Sequence, residues 1–234
     1  VKNRPYDYDY LFDENTFKYL EGKDVGRYFV NWSGLFLRYG NHLAAPRTFN
    51  LFDGKKIIVR EITGCFPRCL ISAYSEDTYL YNRSNIAIIE KENSTVSLKY
   101  ITAILNSKLL SYYFVKNTAK SVRKLFPKII LNDLRKFPVK NISFSEQQLF
   151  IEKADQMLSL NEELQEVSLK FKRALERKFE LEVLPKKLQD WYLLSFAEFI
   201  KELGKKKIKL SLSQEAEWED YFLQESKKAL ALKT

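Results

Sequence analysis

Apolar residues follow two different periods along this chain. Through about residue 144 they come in short, β-rich runs separated by turn-forming residues: 27–31, 35–39, 56–61 within KKIIVRE, 70–74 and 85–90, the last containing NIAIIE. Val, Ile, Tyr and Phe in such runs suit a pleated, half-buried surface, and Asp53-Gly54 has the form of a hairpin turn. These runs predict strands of a mixed or antiparallel sheet. From 97 to 115 the spacing changes. Leu98, Ile101, Ile104 or Leu105, Leu109 and Tyr112 recur at three- and four-residue steps, which predicts a helix packed on that sheet.

Beyond residue 144 the three-and-four pattern is uninterrupted. Ser145, followed by Glu146 and Gln148, reads as an N-cap with a capping-box partner, and no Gly or Pro then occurs until Pro185. Phe150, Ala154, Met157, Asn161, Leu164, Ser168, Phe171 and Leu175 alternate steps of four and three, the period of a coiled coil. A long coiled-coil-like spacer helix is expected, with the polar Asn161 setting register against a partner. Leu193, Phe196, Ala197, Ile200 and Leu203 form one candidate partner face, and 216–232 form another helical stretch. The expected class is α+β: a sheet domain over 1–144, then a helical region over 145–234.

Composition places the boundary at the same point. Six of seven glycines, five of six prolines and twelve of fourteen tyrosines precede residue 145. Charge divides there too: residues 1–144 hold 23 Lys+Arg against 13 Asp+Glu, and residues 145–234 hold 16 against 17. A basic excess confined to one part of a molecule is the footprint of a polyanion-binding surface. It is densest between Lys116 and Lys140, where eight of nine ionisable residues are basic and Asp133 is the exception. No run nears the roughly 18 apolar residues a membrane span needs, and no signal segment opens the chain, so a soluble, cytoplasmic protein is expected. The start at Val1 and the abrupt end read as a piece of a longer protein.

Lys120, Arg123, Lys124 and Lys128, in a loop-like stretch with Asn117, Thr118 and Ser121, suit phosphate. Base reading calls for planar bidentate donors, and Arg27, Arg38, Arg47, Arg60, Arg68, Arg83 and Arg123 supply them. Interleaved aromatics such as Tyr28, Trp32, Phe36 and Tyr81 could stack on an unpaired base, though strands favour aromatics in any case. Chemistry is conspicuous by its absence. His42 is the lone histidine, no Gly-rich nucleotide loop occurs, and Cys65 and Cys69 lack further ligands for zinc. Glu21-Gly22-Lys23 has the E-x-K form of metal-dependent nucleases but lacks a paired acidic strand. No catalytic and no metal-ligating residue is expected.

The segment KSVRKLFPKIILNDLRKFPVKNISFSEQQ at 120–148 resembles the end of a bacterial DNA target-recognition domain: Ile130, Leu134, Phe137-Pro138, Glu146-Gln147 and Ile151 match an element that leads into a spacer helix. Gly22-Lys23-Asp24, Arg27-Tyr28, Pro46-Arg47, KKIIVRE and YITAILNSK at 100–108 resemble the TaqI-like C-terminal specificity domain of adenine-specific DNA methyltransferases and single-chain restriction-modification enzymes; EWEDYF at 217–222 is similar to their helical end. The methyltransferase's glycine motif and N-P-P-Y-type motif are missing. The resemblance implies that the parent methylates adenine N6 with S-adenosylmethionine, flipping the base, and carries Mg if it also has a nuclease. This part would bind double-stranded DNA and choose the site for a catalytic domain in cis or in trans. Arg60, Arg47 and Arg123 are the first expected contacts, followed by Arg27, Arg38, Lys55, Lys56, Arg83, Lys120, Lys124 and Lys128. Alternatives are half of a type I specificity subunit, a helical scaffold with a nonspecific nucleic-acid surface, or a nuclease.

Overall fold

The computed structural model describes residues 5–118 and 127–233. It divides into two compact units, Val1–Gln156 and Met157–Thr234. The basic loop residues Lys120, Arg123 and Lys124 lie outside the described residues.

In the first unit, strands β1 (Asp7–Tyr8), β2 (Thr16–Leu20) and β3 (Phe36–Arg38) precede β4 (Lys56–Arg60), β5 (Ser72–Ser75), β6 (Leu80–Tyr81) and β7 (Asn85–Ile89). They form a four-stranded sheet in the order β1-β3-β2-β6 and a three-stranded sheet in the order β5-β4-β7. The first is mixed, because β2 and β6 run parallel, and the second is antiparallel. Strand β4 explains the unbroken apolar run of KKIIVRE. Ile57 and Val59 face a cluster with Leu98, Leu105, Leu110, Phe114 and Ile129, whereas Ile58 faces Leu20, Val25, Ala73 and Tyr79. Successive residues of a strand point to opposite faces, so a strand covered on both sides needs apolar residues at every step.

The helical layer on that sheet departs from a single helix over 97–115. It is two helices, α1 (Leu98–Leu105) and α2 (Lys108–Asn117). Ser97 caps α1 by accepting from Lys99 N, and Ser107 caps α2 by accepting from Leu110 N at 3.0 Å. Between them Asn106 turns its amide to strand β5, accepting from Ser72 N at 3.1 Å and donating to Ser72 O at 2.9 Å. Asn and Ser side chains that bond backbone elsewhere end helices, and apolar periodicity is blind to that competition. The segment 27–31 is also not a strand. Gly26 N donates to Phe29 O and Tyr28 has φ 66°, a tight turn between the isolated bridge partners Val25 and Val30. A Cβ on Gly26 would lie 2.1 Å from the Phe29 ring, so any larger residue there would displace that ring.

A short helix α3 (Leu131–Leu134) leads to α4 (Phe144–Phe179), 36 residues long. Its cap is Ser143, not Ser145. Ser143 N and Oγ donate to Glu146 Oε2 at 2.9 and 2.6 Å, and Glu146 N donates back to Ser143 Oγ. The fully buried Gln147 anchors this start, accepting from Ser97 N at 2.8 Å and donating to Thr95 O and Ile142 O. Ser143→Ala is expected to destabilise the chain by about 1 kcal/mol in urea titration, and Ser143→Asp to restore most of it. An alanine variant as stable as the wild type would contradict this cap.

The second unit comprises the rest of α4, a 3₁₀ segment (Lys186–Leu193), α5 (Phe196–Lys205) and α6 (Leu212–Leu232). Phe171 and Leu175 of the heptad seam are buried among Leu188, Trp191, Phe199, Leu203 and Phe222. Phe171 stacks on Trp191 with ring centroids 3.6 Å apart. The seam there meets a cluster drawn from three segments, the 3₁₀ segment, α5 and α6. Met157, Asn161 and Leu164 are only half-buried, and Asn161 donates to Met157 O within its own helix. Among the described residues no helix is long and apolar enough to cross a membrane.

Candidate nucleic-acid interface

The connection from β4 to β5 is a hairpin loop built in tiers. Arg60 N donates to Ile71 O at 3.0 Å, Gly64 N to Cys69 O at 2.7 Å, and Arg68 N to Cys65 O at 3.2 Å. Its base is held on the inside by Cys69 and Leu70, both buried, with Leu70 N bonded to Ser111 Oγ on α2. On the other side Thr63 N and Oγ1 donate to Pro127 O, and Ile129 N donates to Glu61 O. Glu61 N donates to Ser84 O, which brings in the turn carrying Arg83. Tyr28 N donates to Ser72 O at the start of β5, which brings in Arg27. Five basic residues far apart in sequence, Arg27, Arg60, Arg68, Arg83 and Lys128, thereby gather at one end of the β5-β4-β7 sheet.

Their charges are unequally compensated. Lys128 is paired with Glu61 at 2.9 Å, and the other nearby carboxylate, Glu21, is paired with Lys23 at 2.9 Å. Asp24 is buried, accepts from Glu21 N and Ser33 Oγ, and has its pKa raised by desolvation. Among the described residues the side chains of Arg60, Arg68 and Arg83 make no hydrogen bond or ion pair. Arg27 donates from Nη2 to Asn106 O at 3.0 Å and lies over the Tyr28 ring. Burial, and then the charge of Arg68 beside it, push its guanidinium below the ordinary arginine value, against a smaller opposing effect of Tyr28. Two adjacent guanidiniums without an acid repel each other and favour an anion between or upon them. Buried polar atoms without a protein partner collect at the same end: both amide atoms of Asn85, opposite Arg60 in the register, with Ser72 Oγ, Ser84 Oγ and Arg27 Nε.

The other expected contacts stand elsewhere. Lys56 is fully buried and donates from Nζ to Gly54 O at 2.9 Å and Asp77 O at 2.6 Å, with burial lowering its pKa. Its amine closes the turn before β4 and is removed from the surface, so it offers nothing to a phosphate. Lys55, its exposed neighbour, lines an open cavity with Glu76 and Glu90 at the end of β4 opposite Arg60. Arg38 is ion-paired to Asp13 at 2.5 Å and lies over Phe12. It sits across from Thr16 at the start of β2, whereas Gly22 and Arg83 lie past the other end, about 13 Å away at roughly 3.3 Å per residue. Arg47 is exposed on the loop after β3, its carbonyl accepting from the Tyr39 hydroxyl. Sequence reasoning counted Arg68 among the candidate base-reading arginines without placing it among the expected contacts, and passed over Phe66 altogether. The signal available was an aromatic-Pro-Arg turn between two strands.

Glu21 and Lys23 form an ion pair at a turn, and among the described residues no three His, Cys, Asp or Glu side chains are grouped to hold a metal. Comparison with known proteins agrees with a recognition module. Over 129 residues the chain is 26% identical to a protein of Methanocaldococcus jannaschii named as a type II restriction enzyme and methyltransferase, a match covering 54% of this chain and 11% of that relative. Residues 143–234 match a family described as a domain of unknown function. Residues 17–139, which contain both sheets from β2 onward, the arginine cluster and α1 to α3, match the model of the TaqI-like C-terminal specificity domain. With that match running over more than half of its length, the chain belongs to the family of TaqI-like C-terminal specificity domains.

Proposed function

We propose that this chain is the DNA-recognition module of a restriction-modification enzyme, choosing the site at which catalytic domains outside it act. The observation that carries this reading is the convergence of Arg27, Arg60, Arg68 and Arg83 at one end of the β5-β4-β7 sheet without carboxylate partners. Uncompensated guanidiniums on a stiff scaffold suit phosphate oxygens and guanine edges, the two commonest arginine targets on duplex DNA. Arg60 at the end of β4 and Arg83 on the β6–β7 turn, whose side chains make no hydrogen bond or ion pair among the described residues, are the candidate base readers. Arg27 with Arg68 is the candidate phosphate site. Pro127 and Lys128, within the basic run 116–140, meet this hairpin at Thr63 and Glu61.

The parent enzyme in this reading methylates adenine N6 with S-adenosylmethionine, and Mg serves any nuclease it carries. This chain has no glycine-rich loop to cradle that cofactor, so its residues do not fit it and no catalytic step runs through them. Arg38, Arg47 and Lys55 are secondary contacts for DNA that extends beyond the hairpin.

The test is selection from a pool of random duplex DNA over several rounds, at two salt concentrations. One short asymmetric or bipartite motif is the expected outcome, with affinity falling steeply as salt rises. Salt-sensitive binding that enriches no motif would reject sequence recognition by this chain, and no binding at either salt would reject the DNA reading.

A further inference from the structure

The hairpin that carries the arginines ends in an aromatic side chain. Phe66 lies at the tip of the turn closed by Arg68 N and Cys65 O, with 60% of its surface exposed. A single exposed apolar residue is ordinary on a protein surface. Phe66 differs from the others in its setting. Its stem residues are Arg60 and Arg68, Arg27 lies beside Arg68, and the one acid of the hairpin, Glu61, is neutralised by Lys128. The tip is also firmly rooted, by Gly64 to Cys69, by Thr63 to Pro127 and by buried Cys69 and Leu70 beneath it. An exposed apolar ring at the tip of a backbone-bonded hairpin whose stem carries Arg60 and Arg68 is complementary to a stack of bases flanked by phosphates.

We propose that Phe66 is a wedge that enters the base stack of bound duplex DNA and unstacks one step, while Arg68 and Arg27 hold the flanking phosphates. This rests on the DNA-recognition reading. Side chains that intercalate in this way kink or open a step, and the energy of unstacking is offset by the contacts the deformation permits. The partner is duplex DNA, chosen over a protein surface because among the described residues the side chains of Arg60 and Arg68 on the hairpin stem make no ion pair.

The experiment uses the chain with its selected duplex, in which 2-aminopurine replaces one base at a time, and a second set of duplexes with an abasic gap at each position. With wild-type protein, fluorescence is expected to rise several-fold at one step, and the duplex gapped at that step to bind about tenfold more tightly than the intact one, because its unstacking is already done. Phe66→Ala should abolish the rise and the preference for the gap while leaving the salt dependence unchanged. Phe66→Leu, which keeps an apolar wedge, should retain both. Thermal melting of each variant should match the wild type, as the side chain is mostly exposed. If wild-type protein binds the duplex but Phe66→Ala gives the same fluorescence rise and gap preference, the wedge is wrong and recognition by the arginines stands. If wild-type protein binds no duplex, both readings fall together.

Discussion

Replacing Arg60 and Arg68 together by alanine is expected to weaken binding to the selected duplex by about a hundredfold or more, since each positioned arginine contact to DNA is worth on the order of 1–3 kcal/mol. The two residues are expected to fail in different ways. Arg60→Ala should lose affinity mainly for the cognate motif, as a base reader does. Arg68→Ala, beside Arg27, should weaken cognate and random duplexes alike and flatten the plot of log affinity against log salt by about 0.9. Neither change should lower the melting temperature appreciably, because neither side chain makes a hydrogen bond or ion pair among the described residues. Arg38→Ala is the control: it breaks the ion pair with Asp13 at the far end of β2 and should leave motif choice intact. Equal affinities for the Arg60/Arg68 double variant and the wild type at two salt concentrations would reject the interface.

The largest effect on stability is expected at Phe171. Its ring is fully buried, stacked on Trp191 at 3.6 Å and Tyr221 at 5.4 Å, with Phe199, Trp218 and Phe222 meeting it edge-on. Alanine there removes the centre of the second unit's core and leaves a cavity that surrounding rings cannot easily fill. The expected loss is about 3–5 kcal/mol by urea unfolding monitored at tryptophan, against roughly 2 kcal/mol or less for Phe171→Leu. Leu169→Ala, on the exposed side of the same helix, should cost little. A loss below about 1 kcal/mol at Phe171 would mean that this aromatic cluster does not hold the unit together.

Several elements were legible because local chemistry and tertiary environment agree. KKIIVRE and NIAIIE read as strands and are strands, β4 being apolar at every interior position because it is covered on both faces. Where local signals are degenerate the reading failed. Tyr28, Phe29 and Val30 have the composition of a strand but form a tight turn in which Tyr28 has φ 66°. Ser143 and Ser145 are both followed three residues later by a side chain that can complete a capping box. The buried Gln147, bonded to the backbone at 95 and 97, selects the first. Strands β1, β2 and β6 went unread, two of them being only two residues long. Strand β2, TFKYL, had the alternation and composition to be found.

The same degeneracy limited the site. Lys55 and Lys56 are adjacent and chemically alike, yet Lys55 stays in the exposed turn while Lys56 opens β4 with its amine bonded to Gly54 O and Asp77 O. The sequence by itself determined the α+β class, the concentration of positive charge before residue 145, the long helix after it and the resemblance to specificity domains. These follow from composition, local periodicity and short motifs, which neighbouring residues carry. Only the tertiary structure decided that Arg27, Arg60, Arg68 and Arg83 share one end of a sheet while Arg38, Arg47 and Lys55 do not. That grouping depends on hydrogen bonds from Tyr28 to Ser72, Arg60 to Ile71 and Glu61 to Ser84, pairings across up to 44 residues that no local pattern encodes.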